Sequence, residues 1–216
     1  MVLASAAIAV ETPVKRESIE WCNVWITHGT EHALPRVLLI GDSIAQAYYG
    51  QVETKLANKV YVGRLTTSKS VGDPALLDEV ATVLKQYRFD VIQFNNGMHG
   101  WDYTEAEYAR AFPQLIATIK KAAPKAKLIW ATTTPVREGT DLHIAPKTER
   151  VKARNKIALG LVTGMKIPVN DLFALVIDHP EFSSPDGVHA SPAGISAQAT
   201  QVAEAIEARL KEIQPQ

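Results

Sequence analysis

The sequence predicts one three-layer α/β domain, a parallel sheet covered by helices on both faces. Three observations predict it. Short apolar runs alternate with segments of helical periodicity from residue 36 to the end of the chain. The runs lack polar alternation, as expected of strands buried on both sides. No Gly/Ser-rich linker or internal repeat divides the 216 residues, a length that suits one domain with a sizeable core. Alternating strands and helices build βαβ units, and right-handed crossovers then lay the strands parallel.

The apolar stretch at residues 1–10 ends on small residues but lacks the positive start of an export signal. It reads as a trimmed signal or an apolar arm, and secretion or periplasmic export is left open. Residues 1–34 form an N-terminal extension whose fold the pattern does not define. It holds His28, His32 and the only cysteine, Cys22, between Trp21 and Trp25. A lone cysteine makes no intrachain disulfide and no cysteine-pair zinc site, and Cys22 reads as a packed or bystander thiol.

In the domain proper, residues 35–216, strands are expected at 36–40, 59–62, 90–94, 127–131 and 166–169. A helix starts at Asp73 and Pro74, an N-cap followed by proline at the first helical position, and carries Leu77, Val80, Ala81 and Leu84 on one stripe. A second covers about 104–123 with Tyr108, Phe112, Leu115, Ile116 and Ile119 on one face; Pro113 predicts a kink or two short helices. Asn170 and Asp171 end the fifth strand as a cap that feeds Leu172, Phe173 and Leu175 inward. The last helix begins at Ser191 and Pro192 and continues through Ile195, Ala199, Val202, Ile206, Leu210 and Ile213.

Composition excludes several classes of function. The 23 basic and 23 acidic residues cancel, and no long run of either sign exists. That argues against nucleic acid, whose binding releases counterions only to a basic face, and against a polybasic membrane surface. Polar breaks interrupt every stretch near the ~20 apolar residues that a membrane-spanning helix needs. With 46% hydrophobic residues the chain is not of disordered type. No H-x-x-E-H or Cys/His cluster suggests a metal, and no G-x-G-x-x-G or G-x-x-x-x-G-K suggests a nucleotide, so no cofactor is expected. Nothing in the pattern sets the oligomeric state.

Parallel sheets bind ligands beyond the carboxyl ends of their strands, so the residues after each run carry the functional reading. After the first strand stands Gly41-Asp42-Ser43-Ile44. Ser43 lies on a strand-to-helix turn, where backbone N–H groups can face a developing oxyanion; the alternative is a plain N-cap. The serine lacks the G-x-S-x-G surroundings of an ordinary α/β-hydrolase elbow. Near the far end, Asp186-Gly187-Val188-His189 puts a carboxylate and an imidazole in one short loop. The aspartate can hold one ring nitrogen while the other takes a proton from a serine; the alternative is a histidine that only caps or packs. After the third strand come Asn95-Asn96-Gly97-Met98-His99-Gly100-Trp101, either turn formers or a source of an amide oxyanion donor. Gly72, before the helix capped by Asp73, can offer a second donor through its backbone N–H.

Taken in order, Ser43 in G-D-S-I, Gly72 in S-V-G-D, an asparagine in N-N-G-M-H-G and the Asp186/His189 pair resemble the SGNH (GDSL-type) hydrolases over residues 36–210. The resemblance implies a flavodoxin-like sheet of five parallel strands and a serine esterase mechanism. It implies Ser43 as nucleophile, His189 as general base and Asp186 as its orienting partner, with Ser43 N–H, Gly72 N–H and the Asn96 side chain forming the oxyanion hole. The family's third block usually reads G-x-N-D; here Asn95 and Asn96 are adjacent, and strand-end alignment favours Asn96. The N-N-G-x-H-G form resembles a subgroup near carbohydrate esterases.

Substrate-lining candidates are Asn95, His99, Trp101 and Arg137; an indole suits a sugar face, while His99 and Trp101 alternatively pack under the N-terminal extension and Arg137 alternatively is a solvated loop residue. His143 and His179 read as surface histidines. With no apolar lid-like insertion, a short acyl group such as acetyl on a carbohydrate is favoured. A lysophospholipase or thioesterase with the same site, or a non-catalytic carbohydrate-binding domain, are the alternatives. An imidazole must be neutral to act as base, so activity is expected to rise with pH through about 6.5.

Overall fold

The computed structural model describes residues 13–213; the apolar stretch at 1–10 lies outside the described residues. The chain runs β1 (Cys22–Ile26), β2 (Arg36–Gly41), α1 (Ser43–Lys55), β3 (Tyr61–Thr67), α2 (Pro74–Gln86), β4 (Val91–Phe94), α3 (Glu105–Ala122) and β5 (Lys127–Ala131). It continues through β6 (Arg137–Glu138), β7 (His143–Ile144), α4 (Lys147–Gly164), β8 (Val169–Asn170), α5 (Leu172–Val176) and α6 (Pro192–Lys211). The main sheet has the order β1-β3-β2-β4-β5-β8, and β6 and β7 form a separate small ribbon.

All five expected strands are present and parallel, from β3 to β8. The sheet also has a sixth member that the sequence pattern did not define. β1, from the N-terminal extension, pairs antiparallel with β3, Cys22 opposite Thr67 and Ile26 opposite Gly63. The last strand is shorter and later than expected, two residues at Val169 and Asn170.

The burial of β2 explains why its run reads as continuous apolar. Val37 and Leu39 face a core shared with α1 and α6, whereas Leu38 and Ile40 face α2, α3 and part of α4. Side chains alternate across a strand, so a strand with two covered faces needs apolar residues at every position. The helix ends follow the expected chemistry. Asp73 accepts from Ala75 N–H ahead of Pro74, and Ser191 accepts from Gly194 N–H ahead of Pro192. Thr104 and Glu107 form a reciprocal capping box on α3. Of the two outcomes expected at Pro113, the split into two short helices does not occur: α3 runs through the proline. The buried stripe of Tyr108, Phe112, Leu115, Ile116 and Ile119 lies on both sides of the proline and holds one helix together.

The topology places the site. The chain leaves β2 for β3 on one side and returns to β4 on the other, so the strand order reverses at β2. A crevice opens at such a switch point, beyond the carboxyl end of β2. There stand Gly41, Asp42 and Ser43.

Candidate active site

Ser43 is the first residue of α1. Asp42 is its N-cap, buried, with Oδ1 accepting from the Ile44 N–H at 2.9 Å. A Cβ on Gly41 would overlap the Ala45 methyl, so a glycine is required where strand turns into helix. This turn leaves the Ser43 hydroxyl partly exposed at the sheet rim.

His189 reaches the same rim from the other end of the sequence. Its Nε2 lies 2.9 Å from Ser43 Oγ, and its Nδ1 lies 2.7 Å from Asp186 Oδ2. The loop that carries both residues is closed on itself: Ser184 N–H donates to the His189 carbonyl at 2.8 Å, and Gly187 N–H to the Ser184 carbonyl. The second Asp186 oxygen accepts from Val188 N–H, His189 N–H and Ser184 Oγ, all within 2.9 Å. Partial desolvation would raise the Asp186 carboxyl, but these donors and the His189 ring hold it well below the usual carboxylate range. The imidazole is therefore gripped by an anion on one side and offers its other nitrogen to a serine hydroxyl.

The two asparagines diverge. Both Asn95 amide hydrogens are engaged beneath the fourth and fifth strands, with the Ala131 carbonyl at 2.7 Å and Thr133 Oγ1 at 3.0 Å. The buried Asn96 faces the 69–72 loop instead, accepting from Val71 N–H at 3.0 Å and donating one amide hydrogen to the Lys69 carbonyl at 2.8 Å. Its second amide hydrogen has no protein partner among the described residues. Gly72 belongs to this loop, its N–H making only a long 3.3 Å contact with Ser70 Oγ, and a Cβ there would strike the Tyr103 ring.

Ser43 and His189 open onto a cleft of about 300 Å³ that His99 and Trp101 also line. Arg137 does not line it, nor is it solvated. It is buried, donating to the carbonyls of Leu142, Val176 and Ile177, and its backbone N–H donates to the Gly187 carbonyl at 2.7 Å. Arg137 thus braces the Asp186–His189 loop through its main chain. His143 and His179 are exposed, paired with Asp141 and Glu181. Cys22 is exposed on β1, and residual desolvation with the Glu79 carboxylate nearby pushes its thiol up to about 11, so it is no nucleophile at neutral pH.

Two groups of residues escaped the sequence reading. Arg154, on α4, is fully buried and donates to the carbonyls of Gly97, His99, Gly100 and Tyr103, clamping the loop after Asn96. Lys15, Arg16 and Glu17 of the extension lie along the cleft. A buried arginine on an otherwise polar helix leaves no periodic signal, and an irregular arm leaves none at all.

No protein-family model matches the sequence, and no curated protein matches it. Solved structures do match. An aryl esterase from Mycobacterium smegmatis aligns with a TM-score of 0.67 at 15% identity, over 81% of this chain and 99% of that one. A carbohydrate acetylesterase from Sinorhizobium meliloti gives the same figures, 0.67, 15%, 81% and 99%. A GDSL-like lipase from Bacteroides thetaiotaomicron aligns at 0.65 and 16%, over 84% and 95%. The chain has the SGNH hydrolase fold. That fold is shared with lipases and carbohydrate esterases alike. Among the described residues no helix is long and apolar enough to cross a membrane.

Proposed function

We propose that the protein is a serine ester hydrolase that removes short acyl groups, acetyl foremost, from carbohydrates or other small esters. The observation that carries this reading is the continuous relay from Asp186 through His189 to Ser43, at 2.7 and 2.9 Å, at the switch point of the sheet. A domain that only binds sugar has no use for a hydroxyl, an imidazole and a carboxylate hydrogen-bonded in that order.

In the first step Ser43 Oγ attacks the ester carbonyl as its proton passes to His189 Nε2. The negative charge that develops on the carbonyl oxygen meets the Ser43 and Gly72 N–H groups and the remaining Asn96 amide hydrogen. Collapse expels the alcohol, which takes the proton from His189, and leaves an acyl-serine. Water, deprotonated by the same imidazole, then releases the acid and restores Ser43. Asp186 keeps the proton on Nδ1 and stabilises the imidazolium without being protonated itself.

Ser43→Ala is expected to lower kcat for p-nitrophenyl acetate by at least about 10⁴-fold while the melting temperature stays within a few degrees. Wild-type protein is expected to take up one equivalent of a fluorophosphonate at Ser43, read by peptide mass. Retained turnover in the variant, or no label, would reject the reading.

A further inference from the structure

The arm ahead of β1 lines the cleft with Lys15, Arg16 and Glu17 and is fastened by side-chain contacts. Lys15 Nζ sits 3.1 Å from Glu107, Arg16 Nε donates to the buried Asp73 at 2.8 Å, and Glu20 pairs with Lys69. Glu17 Oε1 meets His99 Nδ1 at 3.0 Å and accepts from Gly100 N–H at 3.4 Å. These contacts use only part of each side chain. Among the described residues Glu17 Oε2 and Arg16 Nη1 have no partner, so adjacent arm residues bring one free acceptor and one free donor to the cleft that Ser43 also lines.

The rest of the lining repeats the balance. Asp102 and Lys147 line the same cleft, both exposed and without an ion-pair partner among the described residues. Trp101 lines it too. Lys147, Arg150 and Arg154 lie 5.0, 5.5 and 4.8 Å from its ring centroid. Residues spaced three and seven apart share one helix face, so α4 backs the indole from one side while the ring borders the cleft. Two free donors and two free acceptors leave no net sign to select an anion or a cation. Their ionised heads also make this part of the cleft a poor seat for a long acyl chain, because burying unpaired charge against hydrocarbon is costly. A neutral polyol answers all three features: its hydroxyls donate and accept at once, and its C–H face packs on an aromatic ring.

We propose that Arg16 and Glu17 are specificity-determining residues that hold the hydroxyls of a pyranose ring seated against Trp101. The proposal rests on the reading of Ser43 as the ester nucleophile, and its test separates the two. The probe is a mono-O-acetylated methyl glucopyranoside, with p-nitrophenyl acetate as the ester that lacks a sugar. Glu17→Gln is expected to lower the ratio of kcat/KM for the sugar acetate over p-nitrophenyl acetate at least tenfold. Arg16→Lys, which keeps a cation for Asp73 but removes Nη1, lowers it in the same direction. In the Ser43→Ala background, calorimetry is expected to detect the sugar acetate and to show at least fivefold weaker binding once Glu17→Gln is added. An arm that is merely structural moves both esters together and leaves the ratio unchanged, which overturns the proposal. So does absence of sugar binding to Ser43→Ala, even with hydrolysis of p-nitrophenyl acetate intact. Sugar binding that depends on Glu17 in a protein that hydrolyses neither ester would instead sink the hydrolase and leave this wall standing.

Discussion

Asp186 carries the largest electrostatic shift at the site, and its direction has a testable sign. A carboxyl held below its solution value favours the ionised, folded form. Its contribution to stability is therefore complete above the unfolded-chain value of ~3.9 and is lost as pH falls through the lower folded value. Below the range in which His189 takes up its proton, urea midpoints of wild type and Asp186→Asn are expected to differ by a constant amount down to about pH 4 and to converge only below that. An acid limb of activity above pH 5 then belongs to another group than this carboxylate. The asparagines allow an equally local comparison. Asn96→Ala is expected to lower kcat ~10²–10³-fold with little change in KM, the usual cost of one oxyanion donor. Asn95→Ala, which strips hydrogen bonds from the Ala131 carbonyl and Thr133, acts mainly on the melting temperature. The reverse pattern would transfer the donor role to Asn95. At this scale the sequence was informative where a residue's chemistry is unusual for its place, as with Ser43 on its turn. It misplaced Arg137, taken for a substrate-lining or solvated side chain, because nothing local to an arginine shows the three carbonyls it binds.

Among the elements, legibility followed burial. β2, β4 and β5 were readable because both faces are covered and their buried stretches are mostly apolar, whereas of β3 only the apolar start was read, its later positions being Gly63, Arg64, Thr66 and Thr67. β8 makes only two pairings with β5, too few for a pattern. α4 went unread for a physical reason. Its buried stripe is Thr148, Val151, Arg154, Ala158 and Val162, and two polar members break the period that marks a helix face. Arg154 is buried there for the sake of the loop above it. Arg154→Ala would leave four loop carbonyls without their donor, at about 1–3 kcal/mol for each that stays dry. A loss of at least ~3 kcal/mol in equilibrium unfolding is expected, together with a fall in kcat as Asn96 loses its support. A variant as stable as wild type would mean that water replaces the guanidinium.

Over the whole molecule, the meeting of residues 43 and 189 was foreseeable from topology alone, since parallel strands bring the loops after the first and last of them to one edge. The arm was not. Its fold comes from side-chain contacts with residues 49 to 92 positions away, Arg16 to Asp73 and Glu17 to His99 among them, and no local pattern encodes such contacts. The resulting cleft is lined both by strand-end loops and by a segment ahead of the sheet, so part of its lining can change without touching Ser43, Asp186 or His189.

The antiparallel partner of β3 has a practical corollary for anyone trimming this protein. Without residues 1–26, the outer row of β3 amides and carbonyls would lie bare along Gly63–Thr67, where Cys22–Ile26 now cover them. Such a flank invites a second molecule to dock strand against strand. A shortened version starting at residue 27 is expected to scatter light and to elute ahead of its monomer volume in gel filtration, whereas one that keeps Trp21 onward elutes as wild type does. Choice of start site would thus govern shelf life before it governs turnover.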